Sequence, residues 1–182
     1  MKKVLVSLFA FLILTVTQTL AYGVKDFSSD AKIVSALQLL EQSGEYDIFT
    51  NLKKNGIKIK FYNLSGYGSV YATNSYDNTG RRVILINSVY ADAPIEQIAC
   101  LIAHESMHVA RKATLEEETI ATQKEAATWI RLRNDSVLYP QTKLTKRLDK
   151  LADLHIASYN DGTNYIQSKI ASSSFYKAQF GM

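Results

Sequence analysis

Apolar residues recur at helical spacing near the start and in the second half of the chain, and they alternate with polar residues in the stretch between. The helical spacing predicts a helix over residues 29–42, which Ser43 and Gly44 end, and a shorter helix over residues 46–54. Between residues 57 and 87 the period changes to two, which is typical of strands. The pattern therefore predicts helices on either side of a β-rich region.

Three short segments of that region have the composition of β-strands. Residues 57–62 alternate apolar and polar side chains, residues 68–73 are rich in β-forming residues, and residues 82–87 form a compact apolar run. Asn, Asp, Ser and Gly residues, which favour turns, separate the segments. Together the three segments predict a small antiparallel sheet.

A long helix is predicted over residues 94–112, soon after the third strand. Asp92 is the predicted N-cap, and Pro94 fits the first turn, where a missing N–H is harmless. At about 100° per residue, the apolar side chains of this segment gather on one face, and His104 and His108 lie on the opposite face. This pattern indicates a helix with its back in the core and its front lining a cleft.

Residues 104–108 read HESMH, an H-E-x-x-H pentapeptide. Side chains four positions apart on a helix lie one turn above each other, so both imidazoles can bind one metal ion. Glu105 borders the same face, where its carboxylate can take a proton from a water that the ion activates. This is the arrangement of zinc-dependent peptidases, with Glu105 as the catalytic base.

A catalytic zinc ion needs a third protein ligand. The remaining histidine, His155, lacks ligand spacing, and no third histidine follows the HESMH motif at the distance seen in metzincins. A helix predicted over residues 115–132, with Thr114 as its N-cap, carries Glu118 and Glu125 on one face. Since these two carboxylates are about 10 Å apart along the helix axis, they cannot bind the same ion. Both stay candidates for the third ligand.

In these features the chain resembles the gluzincin-type metallopeptidases, in which a glutamate from a following helix joins the two histidines of an HExxH helix. Residues 118–121 read E-T-I-A and match the E-x-x-A setting of that glutamate. The resemblance covers residues 57–132. It implies a Zn²⁺ site formed by His104, His108 and Glu118.

The same resemblance implies a zincin-like α+β fold, in which a small sheet packs on the HExxH helix and a helical part follows. In that family an extended substrate can pair with the strand that borders the cleft. Related enzymes often add a tyrosine or histidine that stabilises the oxyanion. The candidates for this role are Tyr139, Tyr159, Tyr165 and His155.

Two further helices are predicted near the C-terminus, over residues 143–158 and residues 165–180. The second is rich in aromatic residues and is expected to cover part of the cleft or the core. No repeat or linker divides residues 22–182, so we expect a single domain. Cys100 is the only cysteine. It can form no intramolecular disulfide, and we expect it to be a small packing residue at the cleft edge.

Residues 1–21 have the composition of a secretory signal peptide, with a basic start, an apolar run and a small-residue end. Cleavage after Ala21 and a secreted or periplasmic protein are expected, with an uncleaved N-terminal anchor as the alternative. Removing Lys2 and Lys3 lowers the formal net charge of +4 by two. The mature chain therefore offers no basis for nucleic-acid binding.

The sequence thus predicts an exported zinc endopeptidase that acts on peptide or protein substrates, without stable membrane insertion after signal cleavage. Two other classes compete with this interpretation. One is a non-catalytic zinc-binding structural or interaction module, or a self-inhibited zymogen whose C-terminal segment fills the cleft. The other is an exported helical binding protein without a metal. The intact Glu105 favours the enzyme, because a purely structural zinc ion has no use for that carboxylate.

Overall fold

The protein has an α+β fold, with seven α-helices and one three-stranded sheet in the part that is described. The computed structural model describes residues 23–68, 70–110 and 113–180. The α-helices are α1 (Ala31–Gln42), α2 (Tyr46–Lys54), α3 (Ile95–Met107), α4 (Leu115–Leu132), α5 (Lys143–Asp161), α6 (Tyr165–Ser172) and α7 (Ser174–Phe180). The strands are β1 (Lys58–Tyr62), β2 (Ala72–Tyr76) and β3 (Arg82–Asn87). Helices α2 and α4 and strand β3 have the predicted bounds.

The sheet is mixed, so the prediction of an antiparallel sheet was wrong. Its strand order is β1-β3-β2, with β2 antiparallel and β1 parallel to β3. The apolar run of β3 explains this order, because a strand with buried residues such as Val83, Ile84 and Ile86 suits the centre of a sheet. The more polar β2 lies at an edge, where one side of the strand needs no partner. The alternation of apolar and polar residues in β1 is the same for a parallel and an antiparallel strand, so it could not predict the direction of β1 relative to β3.

Strand β2 also begins later than predicted, at Ala72 instead of Gly68. Gly68 has φ of 75° and follows a short 3₁₀ helix over Ser65–Tyr67. That positive φ suits glycine and takes the chain through a turn before the strand can start. The shift moves β2 along the chain and brings Asn74 into the strand.

One core joins the sheet to the helices that follow and precede it. It contains buried apolar side chains from α1, α2, β1, β3, α3, α4 and α5, the largest of which are Trp129, Phe49, Ile33, Leu37, Leu40, Ile48 and Leu52. Fully burying each such side chain contributes about 1.5–3 kcal/mol. Helix α3 lies in the middle of this arrangement, against α1, α4 and the sheet. Its position is therefore set from several sides.

Helix α3 is shorter than predicted at both ends. It begins at Ile95 after Pro94, which is the N-cap, so Asp92 is not the cap. It ends at Met107, and His108 already has extended backbone angles (φ −70°, ψ 124°). The backbone N–H groups of Val109 and Ala110 donate to the carboxylate of Glu117 instead of to the helix. The second histidine of the motif is therefore the C-cap of the helix.

The C-terminal part is helical, as predicted, but its last helix is broken. Helix α5 extends to Asp161 and ends at Gly162, whose φ of 74° suits a glycine cap. The predicted helix over 165–180 divides at Ser173, whose ψ of 129° is extended, into α6 and α7. A second apolar cluster of Ala126, Leu151, Ile166 and Ile170 holds α6 on α4 and α5. This packing brings α7 close to the start of α4.

The predicted signal peptide over residues 1–21 lies outside the described residues. Within the described residues, none of the helices has the length and apolar character that crossing a membrane requires. Export and the division into one mature domain stay predictions.

Candidate metal centre

Three buried side chains converge at the junction of α3 and α4. The Nε2 atoms of His104 and His108 are 3.2 Å apart. The Oε2 atom of Glu118 is 3.7 Å from His104 Nε2, and its Oε1 atom is 3.7 Å from His108 Nε2. The potential ligand atoms of the three residues all lie within 4.8 Å of one another. This triad could hold a metal ion.

The triad lies where the end of α3 meets the start of α4. His104 lies in the last turn of α3, and Glu118 lies in the first turn of α4. The hydroxyl of Thr114 accepts a hydrogen bond from the N–H of Glu117, as predicted for the N-cap of α4. The carboxylate of Glu117 does not complete a capping box, because it accepts from the segment after His108. Glu117 thus ties the end of α3 to the start of α4.

Glu125, the alternative third ligand, lies on the other side of the His104 ring. Its Oε2 atom is 3.0 Å from His104 Nδ1, and its side chain is fully buried. Its Oε1 atom pairs with the Arg147 guanidinium, which also lies over the Tyr71 ring at 5.0 Å. This position suits a carboxylate that orients a ligating imidazole through its second nitrogen. The structure therefore brings Glu118, and not Glu125, to the two Nε2 atoms.

The pKa values of the two histidines are shifted in opposite directions. Burial and the neighbouring His104 lower the pKa of His108 to about 4, so this ring is neutral at pH 7. Burial also lowers the pKa of His104, but contact with Glu125 reverses the effect and raises it. A proton on Nδ1 shared with Glu125 leaves Nε2 of His104 free as a ligand atom.

Acidic side chains outnumber cationic ones in the lining of the cleft. Three carboxylates line the cleft, those of Glu105, Glu118 and Glu125, against one cationic side chain, Arg147. Burial raises the pKa of Glu105 and of Glu118, because a carboxylate that is removed from water loses the hydration that stabilises its charge. Burial opposes ionisation of Glu125 as well, but Arg147 and His104 lower its pKa to about 2. Two imidazoles and one carboxylate are a ligand set that zinc accepts.

Glu105 lies in the same cleft as the triad and is held from the sheet. The side-chain amide of Asn74 donates to Glu105 Oε2 at 2.7 Å and to the Glu105 carbonyl at 2.8 Å. Arg82 donates to Asn74 Oδ1 at 3.1 Å and also to the carbonyl of His108. Asn74 and Arg82 were not singled out in the sequence, since only the fold brings β2 and β3 beside the end of α3.

The cleft has a volume of about 620 Å³, and its lining includes Tyr176 from α7. The hydroxyl of Tyr176 interacts with Glu118, and burial together with that carboxylate raises the pKa of Tyr176. None of the four predicted oxyanion candidates lines the cleft: Tyr139, Tyr159, Tyr165 and His155. Tyr176 belongs to the aromatic segment that was expected to cover the cleft or core. Its position in the sequence did not distinguish it from the other tyrosines as a residue of the cleft.

Cys100 is fully buried in the core, as expected for a packing residue, although it does not line the cleft. Burial raises the pKa of its thiol, so the thiolate is disfavoured as a ligand. The metal group is thus limited to the triad among the described residues.

Comparison with known proteins adds no assignment: no family model, curated protein or solved structure matches this chain. The case for this site rests on the geometry of His104, His108 and Glu118. Among the described residues, this buried histidine and glutamate group could hold a metal ion.

Proposed function

We propose that this protein is an exported zinc-dependent endopeptidase of the gluzincin type. The observation that carries the proposal is the convergence of His104, His108 and Glu118, with Glu105 in the same cleft. Two imidazoles and a carboxylate form a three-ligand set, which in zinc enzymes leaves a position open for water or substrate. A buried Glu next to such a set has a chemical use in an enzyme and none in a structural zinc site.

Each residue of the site has a role in peptide hydrolysis. A zinc ion held by the triad would supply a Lewis acid that polarises a carbonyl and lowers the pKa of water. Glu105 would take a proton from the attacking water and pass it to the leaving amine. Asn74 keeps the Glu105 carboxylate in one orientation through its 2.7 Å hydrogen bond. The hydroxyl of Tyr176 would donate a hydrogen bond to the developing oxyanion.

Strand β2 offers a place for the substrate backbone. It is an edge strand that pairs with β3 on one side, and Ala72, Thr73 and Asn74 line the cleft. An extended peptide can add to such an edge through main-chain hydrogen bonds. The proposed partner is therefore a peptide or an unfolded protein segment, and no nucleic acid is proposed.

One observation favours a second candidate, a self-inhibited or non-catalytic zinc protein. Tyr176 comes from the C-terminal α7 and contacts the third proposed ligand, Glu118. A C-terminal segment that occupied the cleft in this way would block a substrate. The two candidates predict opposite effects of a Tyr176→Phe substitution, a loss of activity for the enzyme and a gain for the self-inhibited form.

Metal analysis of the purified full chain tests the site. We expect wild type to bind zinc, Glu118→Ala to lose most of it, and Glu125→Ala to bind it more weakly. Glu116→Ala is the matched control, because Glu116 is exposed in the same first turn of α4. Zinc binding that survives in Glu118→Ala but fails in Glu125→Ala would make Glu125 the ligand and contradict the triad.

Glu105→Gln tests the reaction. The amide retains the size of the side chain and the Asn74 contact but cannot take a proton. We expect it to keep zinc and to lower kcat on an unfolded protein substrate by about 10²- to 10⁴-fold. Equal activity in wild type and Glu105→Gln would exclude the proposed mechanism, and inactivity of both with zinc bound would favour the non-catalytic module.

Export is supported by the composition of residues 1–21. N-terminal sequencing of the protein recovered from outside the cytoplasm should begin at Tyr22. A chain that begins at Met1 and stays with the membrane would favour the uncleaved anchor.

A further inference from the structure

The cleft at the triad has a charged part and an uncharged, aromatic part. Its charged lining residues lie at the inner end, where other side chains engage them: Glu105 contacts Asn74, and Glu125 contacts Arg147. The rest of the described lining carries no charge and includes four aromatic rings, those of Tyr67, Tyr71, Phe175 and Tyr176. The walls therefore offer apolar contact but no described counter-charge for a charged ligand.

Two of these rings lie at the rim and are exposed. Tyr67 is 69% exposed and Phe175 is 63% exposed, so neither contributes to the core. They come from elements far apart in the chain, the 3₁₀ helix before β2 and helix α7. A single exposed aromatic residue is ordinary in a folded protein. Two exposed rings that line the same cleft offer apolar contact area of the kind found at ligand sites.

Two of the aromatic pairs in the structure involve residues that line the cleft. Phe175 meets Tyr176 edge to face, with ring centroids 5.2 Å apart. Tyr71, another lining residue, stacks on Tyr90 with centroids 5.3 Å apart. Such pairs restrict the rings in position, so an entering side chain meets a surface that is already formed.

At Ala72, Thr73 and Asn74, strand β2 lines the cleft at the edge of the sheet, where its second side pairs with no other described strand and can supply backbone contacts. A peptide paired with β2 would direct successive side chains to opposite faces, so every second side chain could reach a wall of the cleft. Main-chain bonds do not select a sequence, whereas the pocket for the side chains does. Selection at this site would therefore come from the aromatic rim.

We propose that the substrate presents a large apolar side chain, with an aromatic one preferred, to Tyr67 and Phe175 while its backbone pairs with β2. This inference rests on the proposed peptidase function and names the substrate class of that site. A charged side chain between Tyr67 and Phe175 would lose hydration, and these two rings carry no opposite charge to replace it. An acidic side chain would also be repelled by the carboxylates at the inner end of the cleft.

The test uses zinc-loaded full-length mature protein and a set of internally quenched peptides that differ at one scanned position. That position carries Phe, Leu, Ala, Lys or Asp, and mass spectrometry identifies the bond that is cleaved. We expect kcat/KM to be highest for Phe and Leu and lowest for Asp. For the Phe peptide, Tyr67→Ala and Phe175→Ala should each raise KM about three- to tenfold, while kcat changes little.

Tyr159→Ala is the matched control, because Tyr159 is 89% exposed on α5 and does not line the cleft. It should leave KM unchanged for all peptides. Cleavage that shows no preference for Phe or Leu, or rim variants that behave like Tyr159→Ala, would overturn the inference and leave the peptidase proposal intact. Absence of any cleavage by wild type would instead contradict the peptidase proposal.

Binding gives a readout independent of catalysis. Zinc-loaded Glu105→Gln should bind a fluorescein-labelled Phe peptide more tightly than its Asp counterpart, and Phe175→Ala added to it should reduce that difference. Equal affinity for both peptides, or displacement of the Phe peptide by a neutral oligosaccharide and not by the unlabelled peptide, would overturn the inference.

Discussion

The inner end of the cleft is lined by charged and polar side chains, whereas its rim is lined by uncharged groups and aromatic rings. At the inner end, buried carboxylates meet imidazoles, an amide and a guanidinium at hydrogen-bond distances, as Glu125 does with His104 at 3.0 Å. At the rim, the described lining groups are uncharged, and the rings of Tyr67 and Phe175 are exposed. Directional hydrogen bonds and ion pairs hold the side chains at the inner end in place. The rim instead provides apolar surface that a ligand can contact.

This difference separates two tasks of a binding site. Directional contacts between charged groups in a buried setting fix positions to a fraction of an ångström, which metal binding and proton transfer require. Apolar surfaces tolerate different partners of similar size, which suits the capture of a peptide. Substitutions at the inner end should therefore change stability, zinc affinity or kcat, and substitutions at the rim should change KM.

The largest effect is expected from Arg147→Met, which removes the cationic partner of the fully buried Glu125. An uncompensated buried charge costs about 3–5 kcal/mol. We expect this loss in the free energy of unfolding, measured in urea with a chelator present. Adding Glu125→Gln to Arg147→Met should restore much of it, and an additive loss in the double variant would show that the pair is not coupled.

A Tyr176→Phe substitution should lower kcat by about a hundredfold if its hydroxyl stabilises the oxyanion. Steady-state kinetics on a peptide substrate measure this, with Tyr165→Phe as the control, because Tyr165 bonds Asp161 outside the cleft. A rise in activity would instead support the self-inhibited zymogen.

Glu125→Gln should weaken zinc binding about 10- to 100-fold, because an amide orients the His104 imidazole less well than a carboxylate does. Competition with a fluorescent chelator measures the affinity. Glu116→Gln, in an exposed position of the same helix, should leave it unchanged. Equal affinities in the two variants would remove Glu125 from the site.

Asn74→Ala should give the smallest of these effects, about a tenfold fall in kcat with zinc still bound, because Glu105 loses a hydrogen bond to its carboxylate. Asn74→Asp should be worse, since two carboxylates would then face each other. Kinetics and zinc stoichiometry on both variants check the expectation. Full activity in Asn74→Ala would show that Glu105 needs no support from β2.

Much of the local structure could be predicted because it depends on neighbours in the chain. The helices at residues 46–54 and 115–132 follow from apolar spacing and a Thr cap, and these are properties of a few consecutive residues. The pairing of His104 with His108 on one face follows in the same way from helical geometry.

Other features depend on contacts between distant segments and were mispredicted or missed. The end of α3 at Met107 depends on contacts of the following segment with Arg82 and Glu117, which local spacing does not contain. The parallel direction of β1 depends on which strand takes the centre of the sheet. Tyr176 reaches the cleft because α7 turns back from α6.

The amino-acid order therefore specified a helix bearing two histidines and a following helix bearing two acidic candidates. It could not choose between Glu118 and Glu125, since both lie on one face of α4 seven residues apart. That choice follows from how α3 and α4 pack, which turns the two Nε2 atoms towards Glu118 and leaves Nδ1 of His104 to Glu125. These contacts join residues of two different helices. The identity of the third ligand therefore depends on the tertiary structure and cannot be read from either helix alone.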